Sequence, residues 1–284
     1  MARIVFVHGV GQQVKGPLTV HGEVLPALAD GLAPTGVRLR ADDLTCAFYG
    51  DLFRPAAEVL APEPYLDADD LTEQERDLLA EWWRRAAEAD PTIVRPDVET
   101  LARTPNWARA AVRALSGSAF FADIAERAML GSLRQVRRYF AEPEIREVAI
   151  DAVLACLTED TRVVVAHSLG SVVAYETLAT RSPGKPVALV TLGSPLGLRR
   201  LIFDRLRPAP SPDGAPPGRW PGGASSWTNV VDHGDVVASA DDLKPLFGDA
   251  VRHIRVHNGA KAHDVRPYLT ERLTGAAIAE GLLA

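Results

Sequence analysis

Short apolar runs alternate with helical patterns along much of the chain. There are six such runs. In one of them, Val251–Val256, hydrophobic and polar residues alternate, which indicates a strand near the edge of a sheet. The other five runs are rich in β-branched or aromatic residues and apolar on both faces, which is typical of strands buried in a parallel sheet. They are Ile4–Val7, Leu44–Tyr49, Val163–Val165, Val187–Leu192 and Val230–Val231.

Three helical patterns lie between or after these runs, over Leu18–Leu32, Ser171–Thr180 and Val265–Leu283. Strands that alternate with helices predict an α/β fold, in which helices cover both faces of a mostly parallel sheet. We expect about six or seven strands. Ligands of such sheets bind beyond the carboxyl ends of the strands, so the residues that follow each run are the candidates for function.

One long segment departs from the alternation. Between residues 51 and 158 no run resembles a strand, whereas several stretches have helical periodicity. This is more chain than one connection needs, so we predict a helical insertion, or cap, over residues 51–150 of a single domain, 1–284. Its adjacent Trp82 and Trp83 point about 100° apart on a helix, so at least one belongs in a core.

A stretch rich in proline and glycine, Arg207–Ser226, predicts a long loop.

Composition narrows the functional classes. The chain is 47% hydrophobic and 24% charged, as ordinary globular proteins are, and its net charge of −6 argues against nucleic-acid binding. Cys46 and Cys156 match no metal-ligand spacing and predict free thiols in a reducing compartment. No apolar run reaches the ~18 residues of a membrane span, and no leader pattern is present. We therefore expect a cytoplasmic protein without an integral membrane segment; the sequence does not predict its oligomeric state.

The stretch VVVAHSLGS, residues 163 to 171, carries the first candidate for chemistry. A buried strand, one turn and a new helix form the context of a nucleophile elbow, in which a serine projects above the sheet on a strained turn. The residues two positions away must be small, and Ala166 and Gly170 are. Ser168 is therefore the candidate nucleophile. The N–H of Leu169, at the start of the helix, would lie beside an oxyanion formed on attack.

A second glycine-rich turn, HGVG at residues 8–11, directly follows the first strand. Its glycines allow the backbone to turn sharply and approach a substrate, so it is expected to supply a second oxyanion donor. The alternative is a dinucleotide-binding G-x-G-x-x-G motif, but Val14 occupies the position of the third glycine.

A nucleophilic serine needs a histidine as base and a carboxylate that orients it. His257 ends the sixth strand, whereas His263 lies in the following loop, from which a side chain reaches over the sheet more easily; we favour His263. For the acid, Asp232 closes the fifth strand and Asp235 lies three residues further on. From the residues alone both remain candidates, and the other would stabilise the turn.

With these residues assembled, the chain resembles the α/β-hydrolase family, close to the lipase and serine-esterase branch that carries AHSLG at its elbow. The resemblance covers residues 3–50 and 160–284 and includes the order serine, aspartate, histidine. It implies a serine hydrolase acting on a carboxylic ester of a small-molecule or lipid acyl substrate, without metal or cofactor. It favours Asp235 over Asp232 and implies the N–H groups of Val10 and Leu169 as oxyanion donors.

The sequence departs from the family pattern in two places. Ala166 replaces the first glycine of G-x-S-x-G, and the first two strands of the full fold have no counterpart before Ile4.

Activities other than ester hydrolysis remain open. The same three residues support acyl transfer or thioester cleavage, and a catalytically silent binding protein on this scaffold is the alternative from another class.

Overall fold

The fold is that of a computed structural model, and its centre is a sheet of six strands, all parallel, with neighbours in the order β2-β1-β3-β4-β5-β6. The predicted α/β architecture is thus confirmed, with the sixth strand at an edge as expected. The strands are β1 (Ile4–Val7), β2 (Leu44–Ala47), β3 (Val163–His167), β4 (Val187–Leu192), β5 (Ala224–Asp232) and β6 (Val251–Val256). The structure describes residues 2–54, 67–96, 107–116, 126–181, 184–238, 242–259 and 262–284.

The strand β5 begins earlier than the hydrophobic pattern predicts. Residues 224–226, which were expected to end the long loop, pair instead with the start of β4, so the prediction of a loop is wrong there. The reason is Trp227, which lies opposite Leu189 and is 1% exposed. Burying this large side chain in the core extends the strand through a polar stretch that alone predicts a turn.

The helices follow the predicted patterns except at the end of the chain. The pattern over Val265–Leu283 is divided at Glu271, whose backbone is extended and whose carboxylate accepts the N–H of Leu273 as a cap for the second helix. The described helices are α1 (Pro17–Leu32), α2 (Glu73–Ala89), α3 (Trp107–Ser116), α4 (Glu126–Ala141), α5 (Pro143–Cys156), α6 (Leu169–Thr180), α7 (Lys244–Phe247), α8 (Val265–Thr270) and α9 (Arg272–Leu283).

Each face of the sheet is covered by helices, and strand β3 shows the alternation that this requires. Val164 and Ala166 pack with α5 and α6 on one face, while Val163 and Val165 pack with α1, α8 and α9 on the other. All four side chains are fully buried. Burial on both faces explains why the strand reads as a continuous apolar run.

Helices α2, α3 and α4 form a third apolar cluster of their own. Trp82 and Trp83 are both buried in it, which confirms the prediction that at least one of them lies in a core. Val236 and Val237, which follow β5, complete the cluster and join it to the carboxyl end of the sheet. Helix α5 begins within the range predicted for the insertion but packs on the sheet. Other parts of that range lie outside the described residues: 55–66, 97–106 and 117–125.

None of the described helices combines the length and the apolar composition that crossing a lipid bilayer requires.

Candidate active site

Ser168 occupies the turn between β3 and α6, with φ of 53° and ψ of −129°. This left-handed conformation is rare for a residue with a side chain and is typical of a strained elbow. The helix that follows approaches the end of β1 closely. A Cβ at Gly170 would lie 2.4 Å from the carbonyl oxygens of Val7 and His8, so only glycine fits.

The structure brings the three predicted catalytic side chains together. The Oγ of Ser168 lies 2.9 Å from Nε2 of His263, and Nδ1 of His263 lies 2.7 Å from Oδ2 of Asp235. In this arrangement the serine hydroxyl donates to Nε2 while the Nδ1–H of the imidazole donates to the carboxylate. The side chain of His263 is 21% exposed, whereas that of Asp235 is fully buried.

Four donors surround the carboxylate of Asp235. Its Oδ1 accepts the backbone N–H groups of Val237 and Ala238, each at 3.1 Å. Its Oδ2 accepts the hydroxyl of Tyr268 at 2.8 Å as well as the imidazole of His263. A buried carboxylate is tolerated when its lone pairs are satisfied in this way, and the bonds fix the oxygen that faces the histidine.

The two rejected alternatives occupy different positions. Asp232 accepts the N–H of Gly234 at 2.6 Å and that of Asn258, so its carboxylate stabilises the turns after β5 and β6. The side chain of His257 is 88% exposed, and its Nδ1 lies 4.0 Å from Asp232. The structure does not bring this pair to Ser168.

The two candidate oxyanion donors flank the serine. Leu169 is the first residue of α6, where backbone N–H groups have no partner within the helix. Val10 lies in the glycine turn, which approaches so closely that a Cβ at Gly9 would be 2.7 Å from Cβ of Ser168. Within the described part of the chain, neither N–H group donates a hydrogen bond to another residue.

A glutamine of helix α4 holds this glycine turn, and sequence reasoning missed it. Gln135 of α4 is 6% exposed, and its Oε1 accepts the N–H of Gly11 at 3.0 Å. Its Nε2 donates to the side chain of Gln13. No local signal marks this residue, because its partners lie more than 120 positions away.

His8 and His167 flank the glycine turn and the serine; His8 is buried, and the side chain of His167 is partly buried. Burial lowers the pKa of His8 to about 4; its Nδ1 donates to the carbonyl of Gly9 and its Nε2 accepts the N–H of Tyr49. Burial, and then the nearby His263, lower the pKa of His167 to about 3. The Nε2–H of His167 donates to the backbone carbonyl of His263 at 2.9 Å.

The segment after β4 closes the site from another side. Gly193 has φ of 53°, and a Cβ there would lie 2.8 Å from Oδ2 of Asp235. The hydroxyl of Ser194 is 2.7 Å from that of Ser171, which donates to the carbonyl of Ser168. Ser194 is therefore bonded to the framework of the elbow, not to the histidine.

Among the described residues, no group of three or more His, Cys, Asp or Glu side chains is placed to hold a metal ion. Cys46 and Cys156 are free thiols. Comparison of the chain with protein-family models, with curated proteins and with solved structures found no match.

Proposed function

We propose that the protein is a serine hydrolase of the α/β-hydrolase family that cleaves a carboxylic ester. One observation carries the proposal: His263 contacts the hydroxyl of Ser168 with one ring nitrogen and the carboxylate of Asp235 with the other. A serine hydroxyl becomes nucleophilic when a neighbouring base accepts its proton, and the carboxylate keeps that base in the required tautomer.

The reaction proceeds in two halves. The Oγ of Ser168 attacks the acyl carbon while its proton passes to Nε2 of His263, and the same proton then passes to the leaving alcohol. Water next attacks the acyl-serine, gives a proton to His263, and the carboxylic acid departs as the serine is restored. Asp235 stabilises the imidazolium formed in each half. No other group is needed to balance the protons.

The negative charge that develops on the acyl oxygen needs donors fixed before the reaction. The N–H groups of Val10 and Leu169 flank Ser168 and are free to donate within the described part of the chain. Removing one such donor typically raises the barrier by ~3 kcal/mol. The contact of Gln135 with Gly11 supports the proposal, because it fixes the turn that carries the Val10 donor.

The family assignment rests on several features that agree with one another. The sheet is parallel, and the serine lies at positive φ between β3 and α6. The order Ser168, Asp235, His263 is that of the family. The substrate class that follows is a small-molecule or lipid acyl ester.

Labelling with a fluorophosphonate probe tests the nucleophile directly. We expect the native protein to be labelled and to hydrolyse a chromogenic short-chain ester. Ser168→Ala should lose the label and at least about 10³-fold of kcat, since triad residues act as a unit. The control is Ser194→Ala, which removes a neighbouring hydroxyl that does not contact the histidine and should retain the label.

Two results contradict the proposal. An unlabelled but folded native protein would identify a silent scaffold, and a Ser168→Ala variant that keeps more than about 10% of the activity would exclude this serine as nucleophile. Adding alcohols or amines to the assay separates hydrolysis from acyl transfer, because a transferase forms the new ester or amide in place of the free acid.

A further inference from the structure

Two adjoining clefts, of about 520 and 140 Å³, separate α2 from residues 197–205, the segment that follows β4. Arg200 lines both, and together we name them the arginine groove. Three carboxylates also line it, so positive charge is in excess here although the whole chain carries a net charge of −6. The arginines of the groove are Arg84, Arg85, Arg137, Arg199, Arg200 and Arg205.

The arginines of the helical wall already have partners. Arg84 and Arg85 form ion pairs with Glu81 of the same helix, and Arg137 pairs with Glu75 at 3.0 Å. Their charges are therefore compensated within the protein. These side chains shape the groove but do not need a ligand.

The opposite wall is different. Within the described ranges, no carboxylate lies at ion-pair distance from the guanidinium groups of Arg199, Arg200 or Arg205. Arg199 lies 5.6 Å from the ring centre of Phe203, and Arg205 lies 4.7 Å from that of Phe140. Stacking fixes the plane of a guanidinium and leaves its edge N–H groups free to bind an anion in a forked geometry.

Two further observations concern this wall. The backbone of Arg200 has φ of 63°, a conformation that favours glycine, and it is held by a bond from its N–H to the carboxylate of Asp204 at 2.9 Å. Burial, and then the charge of Arg146, lower the pKa of Arg205. A strained backbone and an uncompensated cation are both features that a bound anion would account for.

The groove begins close to the catalytic residues. Gly197, on its rim, is four residues from Gly193, which contacts Asp235, and four residues of chain span at most about 14 Å. The helical wall of the groove is also linked to Asp235, because Arg85 donates to the carbonyl of Ala238, and the N–H of Ala238 donates to the carboxylate of Asp235. Both walls of the groove are therefore tied to the segments that hold Asp235.

We propose that the arginine groove binds a phosphate-like anion carried by the ester that Ser168 cleaves. The inference rests on the proposed ester hydrolysis and specifies its substrate class, an acyl ester that also carries a phosphate group. Arg199 and Arg200 donate forked hydrogen bonds to the phosphate oxygens, and Arg205 adds charge deeper in the groove. An uncharged ester of the same shape lacks these contacts.

Matched esters test the proposal. Monobutyrates of propanediol, hexanediol and nonanediol, each with a free terminal hydroxyl or with a terminal phosphate, share the scissile bond and differ in charge and reach. We expect the phosphate form of at least one spacer to have a kcat/KM about tenfold above its hydroxyl form, since hydrogen bonds to charged groups are among the stronger ones. The preference should decline at high salt. Equal values for both forms at every spacer length would overturn the proposal.

The variant Arg199→Gln/Arg200→Gln should reduce that ratio of kcat/KM values to about one. The control Arg38→Gln/Arg162→Gln removes the same charge from residues that precede β2 and β3, at the amino ends of the strands and so opposite the carboxyl end that carries Ser168, and it should keep the ratio. A ratio that persists in the groove variant, or disappears in the control, overturns the assignment.

A binding measurement separates this inference from the proposed hydrolysis. Calorimetry with hexanediol monophosphate on Ser168→Ala reports on the groove without turnover, and binding should be lost in Ser168→Ala/Arg199→Gln/Arg200→Gln. If esters are not cleaved but this binding is seen, ester hydrolysis fails and the anion site stands. If esters are cleaved without discrimination and the monophosphate does not bind, only the groove assignment fails.

Discussion

At Ser168, backbone conformation and side-chain chemistry depend on each other. The positive φ raises the hydroxyl above the sheet, and the same turn leaves the N–H of Leu169 at the start of a helix. A second residue, Tyr268, links both aspartates of the β5 turn, since its hydroxyl accepts the N–H of Asp232 and donates to Asp235. Orientation of the Asp235 carboxylate, the proposed acid of the triad, is thereby tied to the fold of the strand that precedes it.

His167 is expected to position the catalytic histidine without touching the substrate. Its Nε2–H donates to the carbonyl of His263, and the two rings lie 4.8 Å apart. We predict that His167→Ala lowers kcat about tenfold with little change in KM, because the imidazole of His263 is no longer held at a fixed distance from Ser168. In His167→Gln an amide can replace the lost donor, so part of the activity should return.

Steady-state kinetics and the rate of fluorophosphonate labelling measure this effect, with unfolding curves to confirm that each variant is folded. Equal labelling rates for the native protein and a folded His167→Ala would show that the contact has no part in positioning.

At the scale of secondary-structure elements, helix α1 crosses α8 and α9 at very short range. A Cβ at Gly31 would lie 2.0 Å from the carbonyl oxygen of Leu269, and one at Gly275 would lie 1.8 Å from that of Gly31. These two glycines allow the helices to pack against the sheet with their backbones in contact. The arrangement supports His263, which lies just before α8.

A pair of substitutions within α1 tests this packing. Gly22 is in the same helix, but no atom lies within 4 Å of the position its Cβ would take. Gly22→Ala should raise the free energy of unfolding by about 1 kcal/mol through helix propensity. Gly31→Ala should lower it by about 3 kcal/mol because the backbone of α8 must move. Denaturant unfolding of both variants measures the difference, and changes of equal sign would contradict the packing described.

The same pair shows what the sequence can predict and what it cannot. The β-branched runs predict the strands, and the small residues around Ser168 predict its turn, because these signals are local. Gly22 and Gly31 look alike in the sequence, since only the fold brings Leu269 to one of them. Gln135 escapes prediction for the same reason: its bond to Gly11 joins residues 124 positions apart.

On the scale of the whole molecule, three apolar clusters meet around the site. Two cover the faces of the sheet, and the third joins helices α2, α3 and α4 to Val236 and Val237. These valines directly follow Asp235. The three helices therefore pack against the segment that carries the proposed catalytic acid, and Gln135 of α4 also holds the glycine turn.

Acid should destabilise the whole molecule before its carboxylates are protonated. The pKa values of His8 and His167 are lowered by burial to about 4 and about 3, whereas unfolded histidines titrate near 6.5. Below pH ~6.5 the unfolded chain thus binds protons that the folded chain does not, so stability is fully present above that pH and falls as pH decreases. Each histidine should contribute up to about 1.4 kcal/mol per pH unit.

Urea unfolding at intervals between pH 7 and 5 measures this slope, a window above the range near pH ~4 in which ordinary carboxylates take up protons. His167→Gln should remove about half of the slope, since one of the two histidines with a lowered pKa is gone. The control His257→Gln removes a histidine whose side chain is 88% exposed. A flat native profile across this window, or an undiminished slope in His167→Gln, would show that the histidines beside the serine are not held neutral by the fold.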